Sequence, residues 1–270
     1  MSGGSGVTRM QQLLASEWYK LRKNGTFLSL CASMALLSIV LPAIIYWTRA
    51  SQEGIRIGST VIELFGNAIM INQLYLKISV GILAAFFIAS EYRDGVLKRT
   101  MSAGIERHAV YLSKLLVYAC AVIAAALILP VLVLLIGSLM NAFGLLSGYG
   151  QLEGTAMAGY YLRTTAFTML FAAAYASIAA WFAALSADSG KTVGISILFF
   201  LFADQILAAI SSHFPVAAKL YDYSIFRLFS AVMSAAMERQ DMLPAIAMPL
   251  LTIVVFAALG VRTVLRQEIQ

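Results

Sequence analysis

Apolar residues in this chain do not alternate with polar ones; they come in long runs. Six stretches approach the ~20 mainly apolar residues that a helix needs to cross a bilayer core: 27–47, 68–89, 115–140, 164–185, 192–210 and 244–265. Residues 61–65 extend the second of them outward. Continuous runs, in place of alternating strands of about 10 residues, predict an all-α polytopic membrane protein with six transmembrane helices. Pro42, Pro130 and Pro249 fall inside spans, where a kink is tolerated if the freed backbone groups find partners.

Two shorter segments have helical rather than continuous apolar spacing. In the N-terminal arm, Leu13, Leu14, Trp18 and Leu21 recur beside Glu17, Lys20, Arg22 and Lys23, which suits a helix lying in the membrane interface with Trp18 and Leu21 on its apolar face. Gly25 is expected to end it. On the far side, segment 211–243 is too long for a simple link. Within it Ile225, Leu228, Phe229, Val232 and Met233 recur at helical spacing, as in a helix that lies on or dips into the outer leaflet. The chain thus divides into a tail and interfacial helix (1–26), a six-helix membrane domain (27–265) and a short C-terminal tail (266–270).

Composition agrees with this division. Charged residues make up 12% of the chain, against about 25% in soluble domains, so an ordinary globular protein is excluded. Cys31 and Cys120 both fall inside spans and behave as small apolar residues. His108 and His213 lie in loops on opposite sides, so neither a metal site nor a cofactor is expected. The first apolar run is too long for the core of a cleavable leader. Lys and Arg divide 12 to 6 between the two sides, with Lys77 inside the membrane. Positive-inside bias therefore puts both termini in the cytoplasm of a multi-pass cell-membrane protein. The net charge of +6 then reads as contact with anionic lipid, since no basic domain exists to bind nucleic acid.

The densest charge forms one island, 91–114, with five of the 19 Lys+Arg and three of the 13 Asp+Glu. Gly95 and Gly104 bracket 96–103, enough for about two helical turns, and glycine at both ends permits sharp reversals. Val96, Leu97, Thr100 and Met101 share one face, with Lys98 and Arg99 off it. A short amphipathic helix projecting from a membrane domain fits a groove on a partner.

This island resembles that of a known family. Glu91 at the end of a span, Gly95, a short basic helix, Gly104 and Arg107, then Tyr111-Leu-Ser-Lys114 entering the next span, is similar to the membrane permease of ABC type-2 exporters, especially the bacterial drug, bacitracin and lantibiotic efflux or immunity subgroup. The Glu17-x-x-Lys20-Leu arm, the six spans and the long outer segment match as well. The resemblance implies a coupling helix at 96–103, within loop 90–114, seated on a separate ABC ATPase. Glu91, Gly95, Val96, Leu97, Lys98, Arg99, Thr100, Met101 and Gly104 are then the coupling residues. It also implies two ATPase subunits and two permease protomers per transporter, a homo- or heterodimer, with re-entrant elements closing the outer gate.

Two further features bear on mechanism. Ser189-Gly190-Lys191-Thr192 has the ending of a phosphate-binding loop, but Leu185 stands where that loop needs glycine and a span comes directly after it, so the chain is expected to be a non-catalytic subunit. Lys77 and Asp204 lie deep in the second and fifth spans, at depths within side-chain reach of each other. Asn72, Gln73 and Gln205 add polar groups at similar levels. A structural pair, the lining of a translocation path, and snorkelling of Lys77 all fit. An exporter of amphipathic peptides, antibiotics or lipid-like molecules is the expected function; an intramembrane enzyme or a secondary transporter built on Lys77 and Asp204 is the alternative.

Overall fold

Asn24 is the only residue between the first two helices. In the computed structural model, which describes residues 4–50, 60–94, 106–150, 154–234, 237 and 239–266, helix α1 (Gly4–Lys23) stops there and α2 (Gly25–Ala50) begins. The Asn24 side chain accepts the Phe27 N–H at 3.0 Å, the interaction that favours asparagine as an N-cap. The break therefore belongs to Asn24, and Gly25 opens the span rather than ending the arm.

The other spans are α3 (Val61–Arg93), α4 (Arg107–Ala142), α5 (Gly154–Ser186), α6 (Ser189–Ser211) and α9 (Arg239–Arg266). Two short helices, α7 (Pro215–Asp222) and α8 (Ile225–Met233), lie between α6 and α9. With α2, six helices are long and apolar enough to cross a membrane, and the described residues contain no strand. Most spans outrun their apolar cores: α4, at 36 residues, is about 54 Å long against a bilayer core of about 30 Å. Local chemistry sets several starts. Thr60 and Glu63 form a reciprocal capping box at α3, Asp188 caps α6, and Pro215 opens α7.

Helix α5 is the hub. Its Ala172, Ala176, Ala180 and Ala184 stripe is fully buried, so these small residues pack within one chain. Phe171 and Tyr175 fill the centre beside them. The peripheral helices α2, α6 and α9 turn large apolar side chains outward, including Leu36, Ile39, Leu198, Phe202, Leu251 and Val254. Two glycines set close crossings. A Cβ on Gly81 of α3 would collide with that of Ser196 on α6, and one on Gly260 of α9 with the ring of Tyr111 on α4.

The outer helix α8 does not lie on lipid. Ile225, Phe226, Leu228, Phe229 and Val232 are buried in the bundle. Phe229 stacks on Phe171 at 4.8 Å and meets Tyr175 edge-on at 5.8 Å. An apolar helical face suits a protein groove as well as a bilayer, and here the protein supplies the groove.

Candidate functional site

The last turns of α3 depart from α-helical geometry. Over Ala85–Ala89 the helix widens to a π-turn, with the Ser90 N–H reaching back five residues to the Ala85 carbonyl. That carbonyl also accepts the Ser189 hydroxyl from α6 at 3.1 Å. One extra residue in a turn rotates the remainder of the helix by about 100°. The rotation points Glu91 at α1 and α4.

There four charges close a square. Lys114 of α4 donates to Glu17 of α1 and to Glu91 of α3, each at 2.7 Å. Lys20 of α1 bonds the opposite oxygens, Glu17 at 2.6 Å and Glu91 at 3.2 Å. The Lys114 side chain is 1% exposed, and its ammonium also lies 4.8 Å from the centroid of Phe87, a π-turn residue. Desolvating a charge costs several kcal/mol unless partners satisfy it; here every charge has two opposite partners and the set is neutral. Leu21, one turn along α1 from Glu17, is buried beside it. Trp18 is not: it is exposed with Tyr19, Arg22 and Lys23, so the face expected to hold Trp18 and Leu21 together is split in two.

The square sets a pH window. Burial acts to raise the Glu17 carboxyl, but Lys114 and Lys20 outweigh it and hold the group below its usual 4.5. Burial acts to lower Lys20, but Glu17 and Glu91 win and hold it above 10.5. A depressed acid stabilises the fold fully above its ordinary pKa and loses that contribution as pH falls through the lowered value. A raised lysine stabilises fully below its ordinary pKa and loses it as pH rises through the raised value. The contribution of these two groups is therefore complete from pH 4.5 to 10.5. Glu17→Gln is expected to flatten part of the acid-side fall in thermal midpoint; identical acid limbs in both proteins would show that Glu17 is not the group titrating.

A second charged site lies inside the bundle. Lys77 of α3 and Asp204 of α6 pair at 3.0 Å, as their depths predict, even though Val61 rather than Ala68 begins α3. Tyr221 of α7 donates to the other Asp204 oxygen at 3.3 Å, and the Lys77 ammonium lies 5.5 Å from the Phe226 centroid on α8. Gln73 joins this region by donating to Ser230 of α8 at 3.0 Å. Asn72 does not: its amide goes to the Ala126 carbonyl of α4 at 2.8 Å. Gln205 is exposed. Helix α8 is latched at its far end too, where Tyr160 and Arg163 donate to the Met233 and Ser234 carbonyls at 3.2 and 2.7 Å. Arg227 pairs with Asp241 of α9 at 2.9 Å.

Of the expected coupling residues, Glu91 is the one placed; Gly95, Val96, Leu97, Lys98, Arg99, Thr100, Met101 and Gly104 lie outside the described residues. In the sequence Glu17, Lys20 and Lys114 stand out only as parts of a motif, and nothing there joins them to Glu91 in one site. Lys114 directly precedes the predicted span 115–140, and only the start of α4 at Arg107 puts it inside a helix, where it needs an acid from elsewhere. Tyr221, Tyr160 and Arg163, the ties of the outer helices, were missed as well. At Ser189-Gly190-Lys191-Thr192, the Asp188 carboxylate accepts the Lys191 N–H at 2.9 Å, so an acid of the chain itself caps the helix start where a bound phosphate would sit.

No curated protein matches the chain. Residues 13–205 match the family model described as ABC-2 family transporter protein. The matched stretch takes in all four residues of the square and both members of the Lys77–Asp204 pair, and stops before α7 and α8. A helical membrane bundle with a charged square at one end, over a matched region of this extent, places the chain in the ABC-2 family of transporter proteins, as a multi-pass membrane permease component of an ABC transporter.

Proposed function

We propose that the chain is one of two permease protomers in an exporter driven by ATP hydrolysis in two separate ATPase subunits. The observation that carries this is the charged square. The expected coupling loop, 90–114, starts beside Glu91 at the end of α3 and ends at Lys114 of α4, and both residues are held to α1 by one neutral network. A push on the loop therefore reaches α1, α3 and α4 together. Residues 96–103 act as the coupling helix, with Val96, Leu97, Thr100 and Met101 seated on the ATPase. The Lys and Arg excess supports a cytoplasmic position for this end of the bundle. The outward face of α1 meets anionic headgroups: Trp18 and Tyr19 are exposed, and Lys23 lies 5.9 Å from the Tyr19 centroid. Helices α7 and α8 close the opposite end until cargo leaves. The sparse polar groups and largely apolar helix faces suit an amphipathic peptide, antibiotic or lipid-like cargo.

Co-purification of the tagged chain with its ATPase tests the reading. A Val96→Asp/Met101→Asp double variant is expected to fold normally and lose the ATPase, because two carboxylates cannot be buried in an apolar groove without partners. Retention of the ATPase by the variant, or failure of any ATPase to associate with wild type, refutes the coupling role.

A further inference from the structure

Asp204 has two partners, and a further hydroxyl lies within electrostatic range of it. Lys77 holds one carboxylate oxygen and Tyr221 the other. The Tyr175 hydroxyl, on the central helix α5, is buried and has no hydrogen-bond partner. It lies within electrostatic range of Asp204. Its ring is 5.1 Å from Phe200, one turn before Asp204 on α6, and 5.9 Å from Phe226, whose ring carries the Lys77 ammonium. A buried hydroxyl without a partner has given up water for nothing, a penalty that native structures rarely keep.

The elements around Asp204 differ in attachment. Tyr175 belongs to the hub helix, packed on every side. Tyr221 belongs to α7, a short helix with no buried residue, and Phe226 to α8, whose apolar face is seated on α5 and which polar ties join to α3, α5 and α9. The orphan therefore sits on the fixed part and the present donor on the part that can leave. We propose that Asp204 exchanges partners during transport: while α7 and α8 are seated, Tyr221 donates to it, and when they withdraw the Tyr175 hydroxyl donates in its place. Tyr175 is then a positioning residue. It stabilises the open state, in which Asp204 would otherwise lose a donor, and its idle hydroxyl weakens the seated state. The proposal rests on the transporter reading only in that α7 and α8 move; its test needs neither cargo nor ATPase.

Gln73 and Ser230 touch across the α3–α8 contact, so a Gln73→Cys/Ser230→Cys pair, in a full-length chain with Cys31→Ala and Cys120→Ala, reports the seated state by its rate of oxidative crosslinking in lipid nanodiscs. Tyr175→Phe is expected to raise that rate and Tyr221→Phe to lower it, each roughly two- to tenfold. A structural orphan with no second partner would also favour the seated state when removed if packing improves, so the deciding measurement is coupling. In a Lys77→Met/Asp204→Leu background, which removes both charges together and leaves no lone buried ion, Tyr175→Phe is expected to have no effect on the rate. An equal increase in both backgrounds, or no increase with Asp204 present, overturns the exchange. Either result leaves the outcome of the coupling-helix co-purification unchanged, so the two failures are distinguishable.

Discussion

Lys114→Ala is expected to destabilise the protein by about 3–5 kcal/mol, the largest single effect in the structure. The lysine is buried between Glu17 and Glu91, and its removal leaves Lys20 alone to neutralise two carboxylates. Lys20 is 39% exposed and cannot replace a donor placed in the interior. For a chain of this size the loss is a drop of about 6–20 °C in the thermal midpoint of the purified protein. Removing a charge and its partner together is far milder than removing one alone. Glu17→Gln/Lys114→Met leaves the Lys20–Glu91 pair intact and is expected to recover most of the loss. A Lys114→Ala midpoint within about 2 °C of wild type would show that the square does not bear on stability. The chain would then hold α1 by Leu21 and its neighbours alone.

Gly81→Ala is expected to be the next most damaging change, at about 1–3 kcal/mol, despite adding one methyl group. The new Cβ would collide with the Ser196 Cβ, an atom fixed to the α6 backbone that no rotamer change can move. The helices must part. This crossing lies between two polar links that join the same helices, Ser189 to the Ala85 carbonyl on one side and Lys77 to Asp204 on the other. Separation therefore strains both. Ser196→Gly in the same chain removes the opposing atom and is expected to restore most of the midpoint. Ser196 offers nothing else to lose, since its hydroxyl is buried without a partner. Equal midpoints for Gly81→Ala and wild type would mean that the contact is looser than its geometry.

The spans were legible in the sequence because a bilayer demands a minimum apolar length. The Lys77–Asp204 contact was legible as one of the arrangements that two opposite charges at similar depth allow, beside snorkelling of Lys77, and the structure pairs them. The square was not. Its assembly needs the π-turn at Ala85–Ala89, which turns Glu91 inward, and nothing in Ala-Phe-Phe-Ile-Ala announces a wider turn. The burial of α8 escaped for another reason: Ile225, Leu228, Phe229 and Val232 have the spacing of a helix on lipid as much as one in a protein groove, and periodicity does not identify the solvent. The same ambiguity put Trp18 with Leu21, where the structure sends one outward and the other into the core.

The joint at Asn24 has a mechanical consequence. Helix α1 is fastened at Glu17 and Lys20 to Glu91 of α3 and Lys114 of α4, and one capped residue later it becomes α2. A linker of several residues would absorb a displacement; a single residue whose side chain and carbonyl both bond to the next helix has no slack. Helix α1 is therefore a crank fixed to its shaft, and any swing forced on it must appear as tilt or rotation of α2, a helix that presents most of its surface to the surroundings.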